Sequence, residues 1–343
     1  MNNRVWGTVL LACFVLLVAA ALILIVGASP LDAVRIFING VLGTSNGVAE
    51  IMVKATPLIF TGLGVSLSLR TGFFNIGAEG QFYLGAMGAA MVAIYLTALP
   101  GPLRILLSML AALLVGGIWA LIPAVMKNRL GISEAVSTIM LNYIAIMIVG
   151  IAVRGFLQQP DSALPQSAQV EEAARFPQLW HPTRLHAGFL VALLCVVLVW
   201  FILERTSVGF EMRMTGHNQR AAYCLGLPIT RSVALCALIG GGLAGLAGCA
   251  EILGIQFRLL EGMSSGVGYT AVLIALLAKN RPFNVLVVSL LYAAFQVGAN
   301  SMQRQLGVPS AIVTIITGLI VLILLGSSVG TKMKESKGLK VKT

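Results

Sequence analysis

Apolar stretches long enough to cross a bilayer recur along most of the sequence. We predict transmembrane helices over residues 7–27, 51–69, 78–98, 105–126, 134–156, 186–203, 232–253, 267–279, 283–300 and 311–329. Such stretches must be helical, because hydrocarbon offers no hydrogen-bond partner to an exposed backbone. The pattern therefore predicts an all-α polytopic membrane protein of about ten transmembrane helices.

Two of these stretches differ from the others. The first, 7–27, is longer than the apolar core of a signal peptide and lacks a clear cleavage site, so we expect a retained span. The eighth, 267–279, is short and flanked by glycines, which is typical of a broken or re-entrant element.

Composition and charge agree with a membrane protein. The chain is 58% hydrophobic and 10% charged, whereas soluble domains carry roughly a quarter of charged residues. The net charge of +11 is explained by the Lys and Arg residues of cytoplasmic loops and does not require a nucleic-acid partner. Placing both termini in the cytoplasm puts most of the 23 basic residues on that side, as the positive-inside rule favours.

The segments outside the predicted spans are too short to form a catalytic domain. The longest are an external loop at 158–184 and an internal loop at 204–231. The sequence contains no phosphate-binding loop, and its 3 His and 5 Cys residues lack metal-ligand spacing. We therefore expect a single transmembrane domain over 1–343 that is not an enzyme and holds neither metal nor cofactor.

An internal repeat relates the two halves of the chain. Residues 129–141 resemble residues 305–317, and in both a Leu-Gly pair at the second and third positions precedes an apolar helix. A weaker similarity pairs 80–83 with 266–269. In the predicted topology the copies are inverted, within halves of roughly 51–156 and 232–329, as in transporters whose substrate passes between repeats. Chance similarity between apolar helices is the alternative.

A polar, glycine-rich break separates the second and third predicted spans. The residues of interest there are Asn75, Gly77, Glu79, Gly80 and Gln81. Polar groups at the membrane are costly and usually face a cavity or a partner, so this break is a candidate lining of a translocation path. An ordinary turn with Glu79 capping the next helix explains the same residues equally well.

The internal loop contains a second candidate, a short helix over Arg220 to Leu225. Asn218 is the predicted N-cap and Gly226 the residue that ends the helix. We expect this helix to enter a groove of a cytoplasmic partner through the residues Gly216, Asn218, Arg220, Ala221, Ala222 and Gly226. An interfacial helix on the membrane surface is the alternative.

Small residues over 240–248 form a stripe typical of close helix packing, and we assign them that role. Glu251 and Arg258 flank the external end of the same span. They either contact an extracytoplasmic partner or are solvated loop charges.

These motifs resemble permease subunits of bacterial ABC importers for branched-chain amino acids, simple sugars and nucleosides. Residues 74–81 are similar to the nucleoside-type branch, 216–226 to the family's cytoplasmic loop, and 268–278 to a third, mostly apolar patch. The resemblance implies a cytoplasmic ABC ATPase that binds the ATP, an extracytoplasmic solute-binding protein and a second permease subunit. It also implies that 216–226 is the coupling helix, and that the chain lies in the bacterial inner membrane.

Other functions remain open at this point. Simple sugars or branched-chain amino acids are alternative solutes within the same family. An ion-coupled secondary transporter would usually need buried acidic residues, and Glu79, Glu134 and Glu251 all fall near the ends of spans.

Overall fold

The computed structural model describes residues 17–307 except 19, 26 and 161, together with 309, 312, 315 and 318. The helices are α1 (Pro30–Leu42), α2 (Ser45–Arg70), α3 (Ala78–Tyr95), α4 (Gly101–Leu130), α5 (Glu134–Arg154), α6 (Gly188–Arg205), α7 (Ser207–His217), α8 (Gln219–Cys224), α9 (Ile229–Glu251), α10 (Val267–Leu277) and α11 (Pro282–Leu306). A 3₁₀ turn covers Glu172–Ala174, and a π-helical turn, Ile252–Gln256, extends α9.

Six of the described helices are long and apolar enough to cross a membrane, so the chain is a multi-pass membrane protein. They are α2, α4, α5, α6, α9 with its π turn, and α11. The predicted span 78–98 corresponds to α3, which is not among the six. The predicted span 267–279 corresponds to α10, whose 11 residues extend only about 16 Å at 1.5 Å per residue.

The predicted count of about ten spans is therefore not confirmed. Most of the first span, 7–27, and of the tenth, 311–329, lies outside the described residues. The second copy of the repeat, 305–317, also lies largely outside them, so the repeat stays a prediction.

The chain divides into two compact units, 1–51 with 291–343 and 52–290. In the first unit, Ile23, Ala33 and Met302 form a small buried cluster. The rings of Phe37 and Phe295 lie 5.6 Å apart in the same unit. The prediction of one domain over 1–343 stays a prediction, and both candidate sites lie in the second unit.

Helix α3 is enclosed by other helices in the second unit. It packs against α4, α5, α9 and α10, and most of its residues are buried. A helix that is covered by protein does not need the apolar surface that lipid demands. This explains how α3 can carry the buried polar residues Glu79 and Gln81.

Small residues let α9 approach its neighbours closely, as the sequence predicted. Gly245 lies directly against the backbone of Ala112 in α4, with no room for a Cβ. A Cβ on Gly241 would lie 2.5 Å from the carbonyl oxygen of Gly116, also in α4. The assignment of 240–248 to packing is confirmed.

The external loop is fastened to the segment that follows α9. Ser167 donates its N–H to the Leu259 carbonyl, and Phe176 donates to that of Leu253. Arg258 donates to the side chain of Gln159 at 2.7 Å, and Glu251 accepts from Gln256 at 3.0 Å. Both flanking charges therefore have partners within this chain.

Candidate functional site

The break between α2 and α3 is an ordered loop held by its neighbours. Phe73 is fully buried in a cluster with residues of α4 and α9. The Phe74 N–H points to the Glu134 carboxylate at 3.4 Å, and the Ile76 N–H donates to the Thr138 hydroxyl at 3.3 Å. Side chains of α5 thus satisfy backbone groups that a loop within a membrane protein would otherwise leave unpaired.

An ion pair between α4 and α5 also contacts this loop. Lys127 Nζ lies 2.6 Å from Glu134 Oε1 and donates to the Gly72 carbonyl at 3.2 Å. Both side chains are mostly buried, with exposures of 23% and 19%. The pair ties the end of α4 and the start of α5 to the break.

The predicted polar residues of the break satisfy one another. Asn75 and Gln81 exchange two side-chain hydrogen bonds of 3.1 Å, and the Gly77 N–H donates to Asn75 Oδ1 at 2.8 Å. Asn75 and Gln81 are each about 1% exposed. In this conformation both amides fix the shape of the break.

Asn142 of α5 belongs to this site, although the sequence analysis did not select it. Its Oδ1 accepts the Gly80 N–H at 2.8 Å, and its Nδ2 donates to the Ile76 carbonyl at 2.9 Å. A Cβ on Gly80 would lie 3.0 Å from the Cα of Asn142, so glycine permits this close approach. The detectable signal was an amide in an otherwise apolar run.

Glu79 joins the first turns of α3 and α10. Its Oε2 accepts the Gly268 N–H at 2.7 Å, and the Ser264 N–H donates to the hydroxyl of Tyr83 at 3.3 Å. A carboxylate is favoured where two helix N-termini meet, because both present partial positive charge. The two segments paired by the weaker sequence similarity, 80–83 and 266–269, therefore lie next to each other in the structure.

The short helix of the internal loop is present where the sequence placed it. It spans Gln219–Cys224, one residue earlier at each end than predicted. Asn218 caps it by accepting the N–H groups of Arg220 and Ala221 at 3.0 and 3.1 Å. Gly226 follows with a φ of 71°, a conformation that favours glycine.

Helix α8 and the residue that follows it expose apolar surface that the sequence analysis, which considered only the alanines, did not predict. Ala222 is fully buried, whereas Arg220 and Ala221 are exposed. Tyr223 is 77% exposed and Leu225 is 63% exposed. Cys224 is also exposed, while the other described cysteines, Cys195, Cys236 and Cys249, are buried.

Gly216 connects this region to the break. It lies near the C-terminal end of α7, against the backbone of Arg70 and Thr71, where a Cβ would overlap the Arg70 carbonyl. Arg70 is the last residue of α2 and stands directly before the break. The structure therefore brings Gly216 into backbone contact with the end of α2, directly before the break.

Comparison with known proteins places these features among transport proteins. Residues 47–325 match the family described as "Branched-chain amino acid transport system / permease component". The chain is 35% identical to the guanosine ABC transporter permease protein NupP of Bacillus subtilis, over 93% of this chain and 92% of that protein.

Two further relatives carry different solute names. A glucose ABC transporter permease protein, TsgB13 of Haloferax volcanii, is 35% identical over 94% of this chain and 87% of its own length. The nucleoside ABC transporter permease protein NupB of Lactococcus lactis is 28% identical over 94% and 91%. No solved structure matches the chain.

Proposed function

This chain belongs to the branched-chain amino acid transport permease family, and on that premise we propose that it is the membrane-spanning subunit of an ATP-driven nucleoside importer. The observation that carries the proposal is the contact of Gly216 with Arg70, which joins the internal loop to the end of α2, directly before the break. This chain moves the solute, and a separate cytoplasmic ABC ATPase binds and hydrolyses the ATP.

Helix α8 is the coupling element in this proposal. Tyr223 and Leu225 are apolar side chains exposed beside the cationic Arg220. An aromatic and an aliphatic anchor next to a charge is the composition of a protein-binding patch. Gly216, Asn218, Ala221, Ala222 and Gly226 shape and hold the helix, while Arg220, Tyr223 and Leu225 enter a groove of the ATPase.

Movement of α8 reaches the break through backbone contact. Because Gly216 abuts the Arg70 carbonyl without an intervening side chain, a displacement of α7 and α8 is passed directly to the end of α2. Asn75, Gly77, Glu79, Gly80 and Gln81 lie beyond that point, and we assign them to the framework of the translocation path. Rearranging them alternately opens the path to each side.

The remaining partners follow from the family. A second permease subunit, identical or paralogous, completes the path, and an extracytoplasmic solute-binding protein delivers the nucleoside. The chain lies in the bacterial inner membrane with both termini in the cytoplasm, in agreement with the distribution of Lys and Arg.

Nucleosides are favoured as the solute by two relatives with nucleoside names, one from Bacillus subtilis and one from Lactococcus lactis. A sugar is the second candidate, because the glucose permease of Haloferax volcanii is equally similar. A nucleoside itself contains a ribose, so the two solute classes share hydroxyl-rich chemistry.

Uptake of labelled guanosine tests the proposal in cells that carry the chain with its ATPase and binding protein. We expect unlabelled nucleosides to compete and glucose, ribose and leucine not to. If glucose alone competes, the transported solute is a sugar and not a nucleoside. Uptake by the purified chain alone in liposomes, driven by an ion gradient, would contradict an ATP-driven importer.

A further inference from the structure

An open cavity of about 700 Å³ lies where α2 and α6 end and α11 begins, at the end of α6 that is remote from the external loop. Arg70 is the last residue of α2, Arg205 is the last of α6, and Pro282 is the first of α11. The side chains that line it are those of Arg70, Trp200, Glu204, Arg205, Arg281, Pro282, Phe283 and Asn284. It lies beside the break but shares none of its polar residues.

The lining of this cavity has an excess of positive charge. It contains three arginines and a single carboxylate. Glu204 is already divided between two partners, with Oε1 3.5 Å from Arg70 and Oε2 3.5 Å from Arg213. Among the described residues, Arg205 and Arg281 form no ion pair within 4.0 Å.

The same cavity borders an apolar surface. The rings of Trp200 and Phe283 lie 5.8 Å apart, and the Arg205 guanidinium lies 5.7 Å from the Trp200 ring. Next to them Phe201 is 52% exposed and Val287 is 53% exposed. Aromatic rings beside arginines, at the ends of membrane helices, are typical of the headgroup level of a bilayer.

We propose that this cavity binds a phosphate group with uncompensated negative charge, as carried by an anionic membrane lipid. Arg205 and Arg281 contact the phosphate, while the acyl chains lie along the exposed surface beside Trp200 and Phe283. Basic pockets between membrane helices on the cytoplasmic side are suited to such headgroups. A soluble phosphate compound offers the same anion without the chains, and the experiment separates the two sources.

Trp200 provides a fluorescent reporter inside the cavity. The chain has 4 Trp residues, so Trp6→Phe, Trp119→Phe and Trp180→Phe together leave Trp200 as the sole emitter. This variant is placed in nanodiscs that contain either phosphatidylglycerol or phosphatidylcholine with the same brominated chains. We expect stronger quenching at each mole fraction by phosphatidylglycerol, because phosphatidylcholine compensates its own phosphate charge.

Arg205→Gln and Arg281→Gln should each weaken the preference for phosphatidylglycerol about fivefold. The matched control is Arg129→Gln with Arg231→Gln, which removes two exposed arginines outside the cavity lining. Equal quenching by both lipids, or an equal loss in the control, would overturn the proposal. If the reporter variant does not fold, native mass spectrometry of the wild-type chain and both arginine variants measures the retained lipids instead.

Inorganic phosphate distinguishes the two sources. If it abolishes the preference for phosphatidylglycerol while chloride at equal ionic strength does not, the cavity takes a soluble phosphate compound. If both salts leave the preference intact, the ligand is the lipid. If chloride abolishes the preference as phosphate does, the lipid is attracted to a charged surface in general, and the proposal of a specific binding site is wrong.

Discussion

Gly216 of α7 lies against the carbonyl group of Arg70, so closely that no side chain fits between the two backbones. The residues are far apart in sequence, one at the end of α2 and the other in the internal loop. Their contact makes the end of α2 the place where the internal loop meets the break.

Gly216→Ala should impair transport more than it impairs expression. The added Cβ must displace the backbone of Arg70, and overpacking of this kind costs about 1–3 kcal/mol. We expect nucleoside uptake to fall about tenfold, since about 1.4 kcal/mol corresponds to one order of magnitude. Uptake is measured relative to the amount of protein in the membrane.

Gly150→Ala is the control for this substitution, because its Cβ would meet the flexible end of the Arg154 side chain at 3.1 Å. If Gly216→Ala transports as well as Gly150→Ala, force is not passed through this contact.

Tyr223→Ala combined with Leu225→Ala should release the ATPase. Both side chains are largely exposed, so their loss leaves the fold of this chain intact. A tyrosine anchor at a protein interface contributes about 2 kcal/mol or more, so association in a pull-down should weaken at least tenfold. Leu164→Ala, which removes a 62% exposed leucine from the external loop, should have no effect. Unchanged association of the double variant would argue for a membrane-surface role of α8.

Asn142→Leu should destabilise the second unit. The leucine leaves the Gly80 N–H and the Ile76 carbonyl without partners, at a cost of about 1–3 kcal/mol for each group. We expect a lower melting temperature in detergent. Asn128→Leu is the matched control, since that amide makes only an exposed contact of 3.4 Å to the Thr230 carbonyl. Equal melting temperatures for the two variants would contradict the bridging role of Asn142.

Substitution of Glu79 distinguishes a structural role of its carboxylate from a role in coupling transport to an ion. Glu79→Gln keeps an oxygen that accepts the Gly268 N–H, whereas Glu79→Leu does not. We therefore expect the glutamine variant to retain most of the ATP-dependent uptake and the leucine variant to lose it. A folded glutamine variant without uptake would instead support transport that requires the charge.

Gly245→Ala should weaken the packing of α9 on α4. Its Cβ would overlap the Ala112 carbonyl, while the Cβ of Gly88→Ala would meet a methyl group of Val115 at 3.1 Å. Because the neighbours of Gly88 must move by only a few tenths of an ångström whereas the Ala112 backbone must shift much further, only the first substitution should lower the melting temperature in detergent by several degrees. Similar values for both would mean that α9 has more freedom than its contacts indicate.

Local signals in the sequence were sufficient to predict the short helix α8. Asn218 and Gly226 bracket α8 as predicted, because capping and left-handed geometry depend on near neighbours. The C-terminal end of α2 and the start of α3 were also close to prediction, since glycines and polar residues interrupt an apolar run there.

Contacts between residues that are distant in the chain could not be predicted from the sequence pattern. Helix α3 was predicted as an ordinary span, because an apolar run does not reveal whether lipid or protein covers it. Asn142 was missed because its partners lie some 60 residues away in the chain, at separations of 62 and 66. The helix α7, which carries Gly216, is short and too polar to be recognised as an apolar stretch.

The accessibility of the thiols has a practical consequence. Within the part of the chain that the structure describes, Cys224 is the one exposed cysteine, and it lies on the helix that we assign to the ATPase groove. A maleimide dye applied to the native sequence should therefore mark that helix and leave Cys195, Cys236 and Cys249 unmodified. Shielding of this label by added ATPase, followed through a cycle of nucleotide addition and washout, would record when the two subunits engage and separate.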